Sequence, residues 1–392
     1  MLPQLAHVLA QYDKMGLNHQ EIPPFRNELA STTLAASRFS DMSWKIEMIT
    51  RAKQLLKDSP DSYLNAWLTY RESAILRMRG KRDESAKTLE DFVRATALPA
   101  NNRGSELTPR YNAQRSDLII SFSENMIQQG RLEEAKMELY EWSPLDLTAP
   151  STLERIASRA RDITLGKILR YQGLFKDALV LLEKVLEESH IDDFFEGTGW
   201  YRVLLSGVAD LYIELGRSED AEKILRQELQ PMVEAGTQDI ATGKRLRLSL
   251  VETYLERNMF GIAEEALLHL KEEYEVIKEP DYATSINIFR VWLGLARVSH
   301  RQGNWEDALS YWRQALAATE QLKMSNGFNA GIVRYSLAHA LLMTGDSAQS
   351  DLMVAQAKQN MASEPRMFWI AGFNSKWHDY AIISLGHGTA ER

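Results

Sequence analysis

The chain has 392 residues, 44% hydrophobic and 26% charged, a balance that excludes a disordered or collagen-like polymer and is long enough for several domains or one repeat array. It contains no cysteine, which excludes disulfides, thiol nucleophiles and every Cys-ligated metal centre. Its net charge of -8 argues against nucleic acid as a partner, because phosphates demand a basic surface.

In chain order, residues 1–58 read as an N-terminal helical pair or degenerate repeat. The opening stretch MLPQLAHVLAQYDK is amphipathic, interrupted by Gln4, His7 and Gln11, and has no basic leader, so it reads as a helix and not a signal peptide. No run approaches the roughly 18 apolar residues of a membrane span, so no membrane partner is expected. Together with the missing cysteines this points to a cytoplasmic setting. The basic cluster Arg77, Arg79, Lys81 and Arg82 falls at a turn and reads as a solvated bend.

Residues 59–361 form an array of about seven repeating units. It is interrupted at 94–112 by RATALPANNRGSELTPRYN, a loop rich in Pro, Asn and Gly. A second connection, HIDDFFEGTGWY at 190–201, offers His190, Asp192 and Asp193 to a hard or borderline metal. Its expected role is plainer, with Phe194, Phe195 and Trp200 packing on the next helix. Residues 362–392 read as a C-terminal capping helix and tail. Phe368, Trp369, Phe373, Trp377 and Tyr380 would cover the open end of the array, and His387 would lie in a disordered end. There is no HExxH and no GxxxxGK[ST], and the glycine turns lack the further glycines and lysine of a phosphate cradle, so no cofactor and no metal is expected.

The repeat is read from its turn residue: Gly80, Gly130, Gly173, Gly216, Asn258, Gly303 and Gly345, spaced by 50, 43, 43, 42, 45 and 42. Seven positions earlier stand Ser73, Ser123, Gly166, Ala209, Val251, Ala296 and Ala338. Five positions later stand Ser85, Ala135, Ala178, Ala221, Ala263, Ala308 and Ser350. Thirteen of these fourteen are Gly, Ala or Ser, types that fill only about a quarter of an ordinary chain. Large apolar residues flank them at minus 8 and plus 9, with Glu72 as the misfit of the first unit, whose turn GKRDESA leaves room for one extra residue. The pattern predicts two antiparallel helices per unit, A before the turn and B after it, crossing where both side chains are small. Glycine supplies the left-handed end of A, and acidic residues such as Glu133 and Glu134 suit the positive start of B.

This set of positions resembles the tetratricopeptide repeat: a small residue in helix A, a Gly turn followed by acidic residues, and an alanine in helix B. The period of about 43 exceeds the family's usual 34, which places the chain nearer long-helix relatives of the kinesin-light-chain and regulator kind. The resemblance implies an all-α, right-handed α-solenoid with the A helices on its concave side. On that side the positions six before the turn read Ala74, Glu124, Lys167, Asp210, Glu252, Arg297 and His339.

The expected function is a protein-interaction scaffold or adaptor holding a peptide, helix or partner protein in the concave groove. Its candidate contact residues are Glu124, Lys167, Arg170, Asp210, Glu252, Arg290, Arg297, Tyr335 and His339. Arg245, His300, Arg301, Trp67, Tyr70 and Tyr171 flank them. A second reading from another class is a cofactor-independent cyclase, isomerase or lyase with a small molecule in a closed pocket. Asp210, Glu252, His300 and His339 would then be its acid-base groups. A homodimer through an exposed solenoid end is left open.

Overall fold

The computed structural model describes residues 5, 7–11, 23–96, 108–191, 193–196, 198–277, 280–322, 324, 327–362, 367–369 and 371–385. Most of the 94–112 loop, Asp192 and His387 lie outside them, as does the side chain of Asp193. The described residues contain helices and no strand. They fall into two compact units, residues 1–129 with 133–158 and residues 130–132 with 159–392.

The first unit opens with α1 (Pro23–Ala36) and α2 (Met42–Leu55), followed by α3 (Ser62–Met78), α4 (Arg82–Ala95), α5 (Pro109–Gln128) and α6 (Leu132–Tyr140). Helix α7 (Thr152–Tyr171) begins in the first unit and ends in the second. The second unit continues with α8 (Phe175–His190), the short α9 (Asp193–Glu196), α10 (Gly199–Glu214), α11 (Ser218–Glu234), α12 (Ala241–Glu256) and α13 (Phe260–Glu275). It closes with α14 (Tyr282–Gln302), α15 (Trp305–Gln321), α16 (Phe328–Met343), α17 (Ser347–Ala362) and α18 (Ser375–Ile383). The A helices are α3, α5, α7, α10, α12, α14 and α16; their B partners are α4, α6, α8, α11, α13, α15 and α17.

All seven turn residues have positive φ, from 57° at Asn258 to 89° at Gly345. The left-handed backbone reverses the chain after each A helix, and Asn is the residue other than Gly that enters this region most cheaply. Every B helix starts two residues after its turn residue, at Arg82, Leu132, Phe175, Ser218, Phe260, Trp305 and Ser347. The turn GKRDESA therefore holds no extra residue. Several A helices begin with a side-chain cap, as when the carboxylates of Asp61 and Asp281 accept from the backbone N–H of Leu64 at 2.9 Å and Thr284 at 2.8 Å. Five of the seven B helices have acidic first turns, such as Glu219 and Asp220 in α11.

All fourteen crossing positions are buried. Where both members are serine, the hydroxyl of Ser85 donates to the Ser73 carbonyl at 3.0 Å, so close approach also satisfies a buried polar group. At Gly166 an added Cβ would meet Leu182 Cδ2 at 2.4 Å, so the leucine nine after the turn fills the space a side chain would need. The misfit Glu72 is explained by α2, because Lys53 Nζ donates to its carboxylate at 2.9 Å. The buried Arg71 guanidinium ties α3 to the end of α1, donating to Ser37 Oγ at 2.9 Å and Ser37 O at 2.8 Å.

In the connection after α8, Phe195 is buried under the Arg159 guanidinium, whereas Phe194 is 68% exposed and does not pack as the sequence suggested. Within the second unit α14 to α17 share one apolar core built on Phe289, Leu293, Trp312, Phe328 and Ile332. Trp369, Phe373 and Trp377 from beyond the last repeat belong to the same core.

Gly216 isolates the cost of the left-handed turn, since its φ is 79° and nothing lies within 4 Å of an added Cβ. Gly216→Ala is expected to cost about 1–2 kcal/mol through backbone strain alone, measured as a lower midpoint of thermal unfolding.

Candidate functional site

The segment after α17 does not stop at the end of the array. It turns back along the A helices of the second unit, meeting five of them with residues 368–377, which include a turn at 371–372 and the start of α18. The backbone N–H of Phe368 donates to the Tyr171 carbonyl at the end of α7, 2.9 Å away. The Phe368 ring meets Phe175 edge-on at 5.3 Å and stacks on His378 at 5.4 Å. Trp369 stacks on Phe289 of α14. Gly372 passes so close that a Cβ there would lie 3.1 Å from Leu293 and 2.6 Å from the ring of Trp369; its carbonyl accepts from Arg297 Nη1 at 3.2 Å.

Asn374 caps α18 by accepting from the Trp377 N–H at 2.9 Å, while its amide donates to Glu256 of α12 at 3.1 Å. The N–H of Ser375 donates to Glu214 of α10 at 3.0 Å, and its hydroxyl binds the same carboxylate. Lys376 pairs with Glu256. Trp377 Nε1 donates to Ser336 Oγ of α16 at 3.2 Å, and its ring stacks on Trp312. Arg301 of α14 lies over the Tyr380 ring, 4.2 Å from its centroid.

Four of these holding groups, Tyr171, Glu214, Glu256 and Arg301, stand two positions before their turn residue in consecutive repeats. Sequence reading had looked four positions further upstream and missed Glu214 and Glu256. The missed signal was a column of polar or aromatic residues where a helix normally frays into its cap.

The expected column at minus 6 is found mostly inside. Asp210 accepts from Arg170 Nη1 at 3.1 Å and from Ser249 Oγ at 3.2 Å, and Ser249 bonds Ser206, which takes Arg245 Nε at 3.3 Å. Glu252 accepts twice from Arg297 Nη1, at 3.1 and 2.9 Å. Burial pushes the Glu252 carboxyl above its ordinary range despite the pull of Arg297 and Arg290, and does the same to Glu214 against its bonds to Ser375. Arg290 is buried near Glu252, with Nε and Nη2 making no hydrogen bond to another described residue. Tyr335 is buried, which raises its phenol. Lys167 is half-buried, 5.8 Å from the Tyr171 ring, and Glu124, also half-buried, belongs to the other unit.

His300 and His339 form a separate pair. Trp312 Nε1 can only donate, so His300 accepts at Nδ1 over 3.2 Å and carries its proton on Nε2, which donates to His339 Nδ1 at 2.9 Å. Burial first, then His339 and Arg301, push His300 down to about 3, and burial lowers His339 too. Both imidazoles are neutral at pH 7.

A cavity of about 280 Å³ opens where the returning segment meets α12 and α14, lined by Glu256, Phe260, Arg297, Arg301, Lys376 and Trp377 among others. None of Asp210, Glu252, His300 and His339 lines it. The four acid-base candidates are thus divided between ion pairs and an imidazole pair. Among the described residues no group of three or more His, Asp or Glu is placed to hold a metal, and His190 bonds Glu196 at 2.7 Å. No described helix is long and apolar enough to cross a membrane.

Residues 287–361, which span α14 to α17, match the family model of the tetratricopeptide repeat. The chain has the tetratricopeptide-repeat fold. A Rap protein complexed with competence and sporulation factor superposes with a TM-score of 0.54 at 13% identity, covering 83% of either chain. NprR in complex with its cognate peptide NprX does so with a TM-score of 0.51 at 12% identity, covering 76% of this chain and 79% of that one. BtubC from P. vanneervenii shares 17% identity over 62% of this chain and 91% of its own, with a TM-score of 0.43. No curated protein matches the chain in sequence. Across the seven helix pairs the A helices run 16 to 21 residues and the B helices 9 to 17.

The depressed His300 has a consequence for stability. Between its folded value of about 3 and its ordinary value of 6.5 the unfolded chain binds the extra proton, so stability is full above 6.5 and falls as pH drops. About 2 kcal/mol is expected to be lost from this group between pH 7 and pH 5. His300→Gln should show a smaller drop in thermal midpoint over that interval than the parent chain.

Proposed function

We propose that the second unit is a protein-interaction scaffold that binds an extended segment of a partner protein or a free peptide along the inner face of its A helices. The observation that carries this reading is how that face treats the residues now lying on it. It addresses backbone as well as side chains: Arg297 donates to a main-chain carbonyl, Glu214 accepts a main-chain N–H, and the Tyr171 carbonyl accepts another. Such contacts hold any chain that supplies free backbone groups at these points, while aromatic pockets between them select sequence.

NprR in complex with its cognate peptide NprX supports the ligand class, and the Rap protein complexed with competence and sporulation factor is a second complex on a fold of this type. The cavity beside Arg301 is one place where the inner face is reachable from solvent. Its cations suit an acidic residue in the incoming segment, and Glu256 is already engaged by Lys376 and Asn374. The cysteine-free composition suits work in the cytoplasm.

Native purification of the full chain followed by mass spectrometry of what it retains tests the reading. The Lys167→Glu, Arg301→Glu double variant is expected to keep its helical content and to retain a given partner on the order of tenfold less. Retention of nothing by the parent chain, or equal retention by the variant, removes this face from the function.

A further inference from the structure

We infer that residues 367–385 are an intramolecular ligand of the inner face, and that the partner is an aromatic-bearing segment which exchanges with them. The inference rests on the reading that the inner face binds partners, and it names both the partner's chemistry and its built-in competitor.

The segment is held like a bound peptide. Before α18 the segment turns, with the N–H groups of Gly372 and Phe373 donating to the Trp369 carbonyl at 2.9 Å, and its other backbone groups are met by side chains and carbonyls of α7, α10 and α14. Its side chains divide between deep pockets and polar ties. Trp369, Phe373 and Trp377 are buried against Phe289, Trp312 and Ser336, while Asn374, Ser375 and Lys376 engage carboxylates that stand in register on successive repeats. The surface beneath carries Arg297 paired to Glu252, with Arg290 beside it, all buried. Burying charges is costly compared with packing apolar residues, so a face built only as core would not carry them. A face built to meet a ligand would.

The depth of the aromatic pockets sets the partner's chemistry. A competitor lacking large aromatic groups would leave three pockets empty, whereas one that reproduces them replaces each contact in turn. The remaining disadvantage is then that of any free peptide against a tethered one, whose effective concentration is on the order of mM. Weakening the tethered copy without touching the face should therefore admit the free one.

The probe is the peptide MFWIAGFNSKWHDY, residues 367–380, labelled with a fluorophore and titrated into the full-length chain and into its Ser375→Asp, Lys376→Glu variant, which sets carboxylates against Glu214 and Glu256. The variant is expected to bind the peptide on the order of tenfold tighter than the parent chain. Peptide addition should also speed hydrogen exchange across 367–385. If the double variant loses its helical circular dichroism, Lys376→Ala takes its place with a smaller gain. Equal affinity for the two chains, or a lower thermal midpoint in the variant with no gain in affinity, means the segment is a fixed part of the core and overturns the inference, while partner binding stands or falls by the retention experiment. Absence of peptide binding to either chain overturns it as well.

Discussion

Everything in this fold depends on two helices approaching so closely that a hydrogen, methyl or hydroxymethyl is the side chain at thirteen of the fourteen crossing positions. At Gly166 even a methyl group is excluded by Leu182, and at Ser85 the hydroxyl is accommodated because the opposing Ser73 carbonyl accepts it. Val251 is the one larger residue in the set, and it too is buried. Close approach lets the flanking leucines interlock, and the interlocked pair presents one apolar flank to its neighbour on each side. The left-handed turn makes this geometry repeatable, since a single positive-φ residue sets where each B helix starts. That is why the register is the same in all seven units even where the residue is Asn258 or the unit carries Glu72.

A face built from successive A helices inherits this periodicity. Residues at equal offsets from the turn line up across repeats, so a chain lying across the A helices of the second unit meets the same kind of position every 42 to 45 residues of sequence. In the second unit Tyr171, Glu214, Glu256 and Arg301 are such a row, and the returning segment binds along it. A deeper row, Asp210, Glu252 and Arg297, lies beneath. Its ion pairs are shielded from water, and their contribution to stability is limited by the desolvation they require. Their effect is to fix the Arg297 guanidinium so that a remaining N–H direction meets a main-chain carbonyl above it.

The same arrangement bears on chemistry. Acid-base catalysis needs groups that can gain and lose protons near neutral pH while facing a substrate. Here the carboxylate of Glu252 is engaged by a guanidinium, and the imidazoles of His300 and His339 are neutral and bonded to each other, with Trp312 holding the tautomer. These groups order the interior around the aromatic cluster of Trp305, Trp312, Trp377 and Tyr380, and the cavity nearby is lined by other residues.

The sequence by itself determined the repeat, its register and the helix pairs. Those depend on local rules: which residues tolerate positive φ, which are small enough for a crossing, and which period matches two helices and a turn. It also marked the aromatic residues after the last repeat as needing burial. Only the tertiary structure decided where they would be buried, because the path of residues 367–385 is set by contacts with Tyr171, Glu214 and Glu256, between about 120 and 200 positions earlier in the chain. The column at minus 6 was legible as a polar row but not as a buried one, since burial of Glu252 and Arg297 follows from what lies over them. The row that meets the segment is four residues nearer the turn, because a chain crossing the helix ends reaches the last turn of each helix before it reaches the middle.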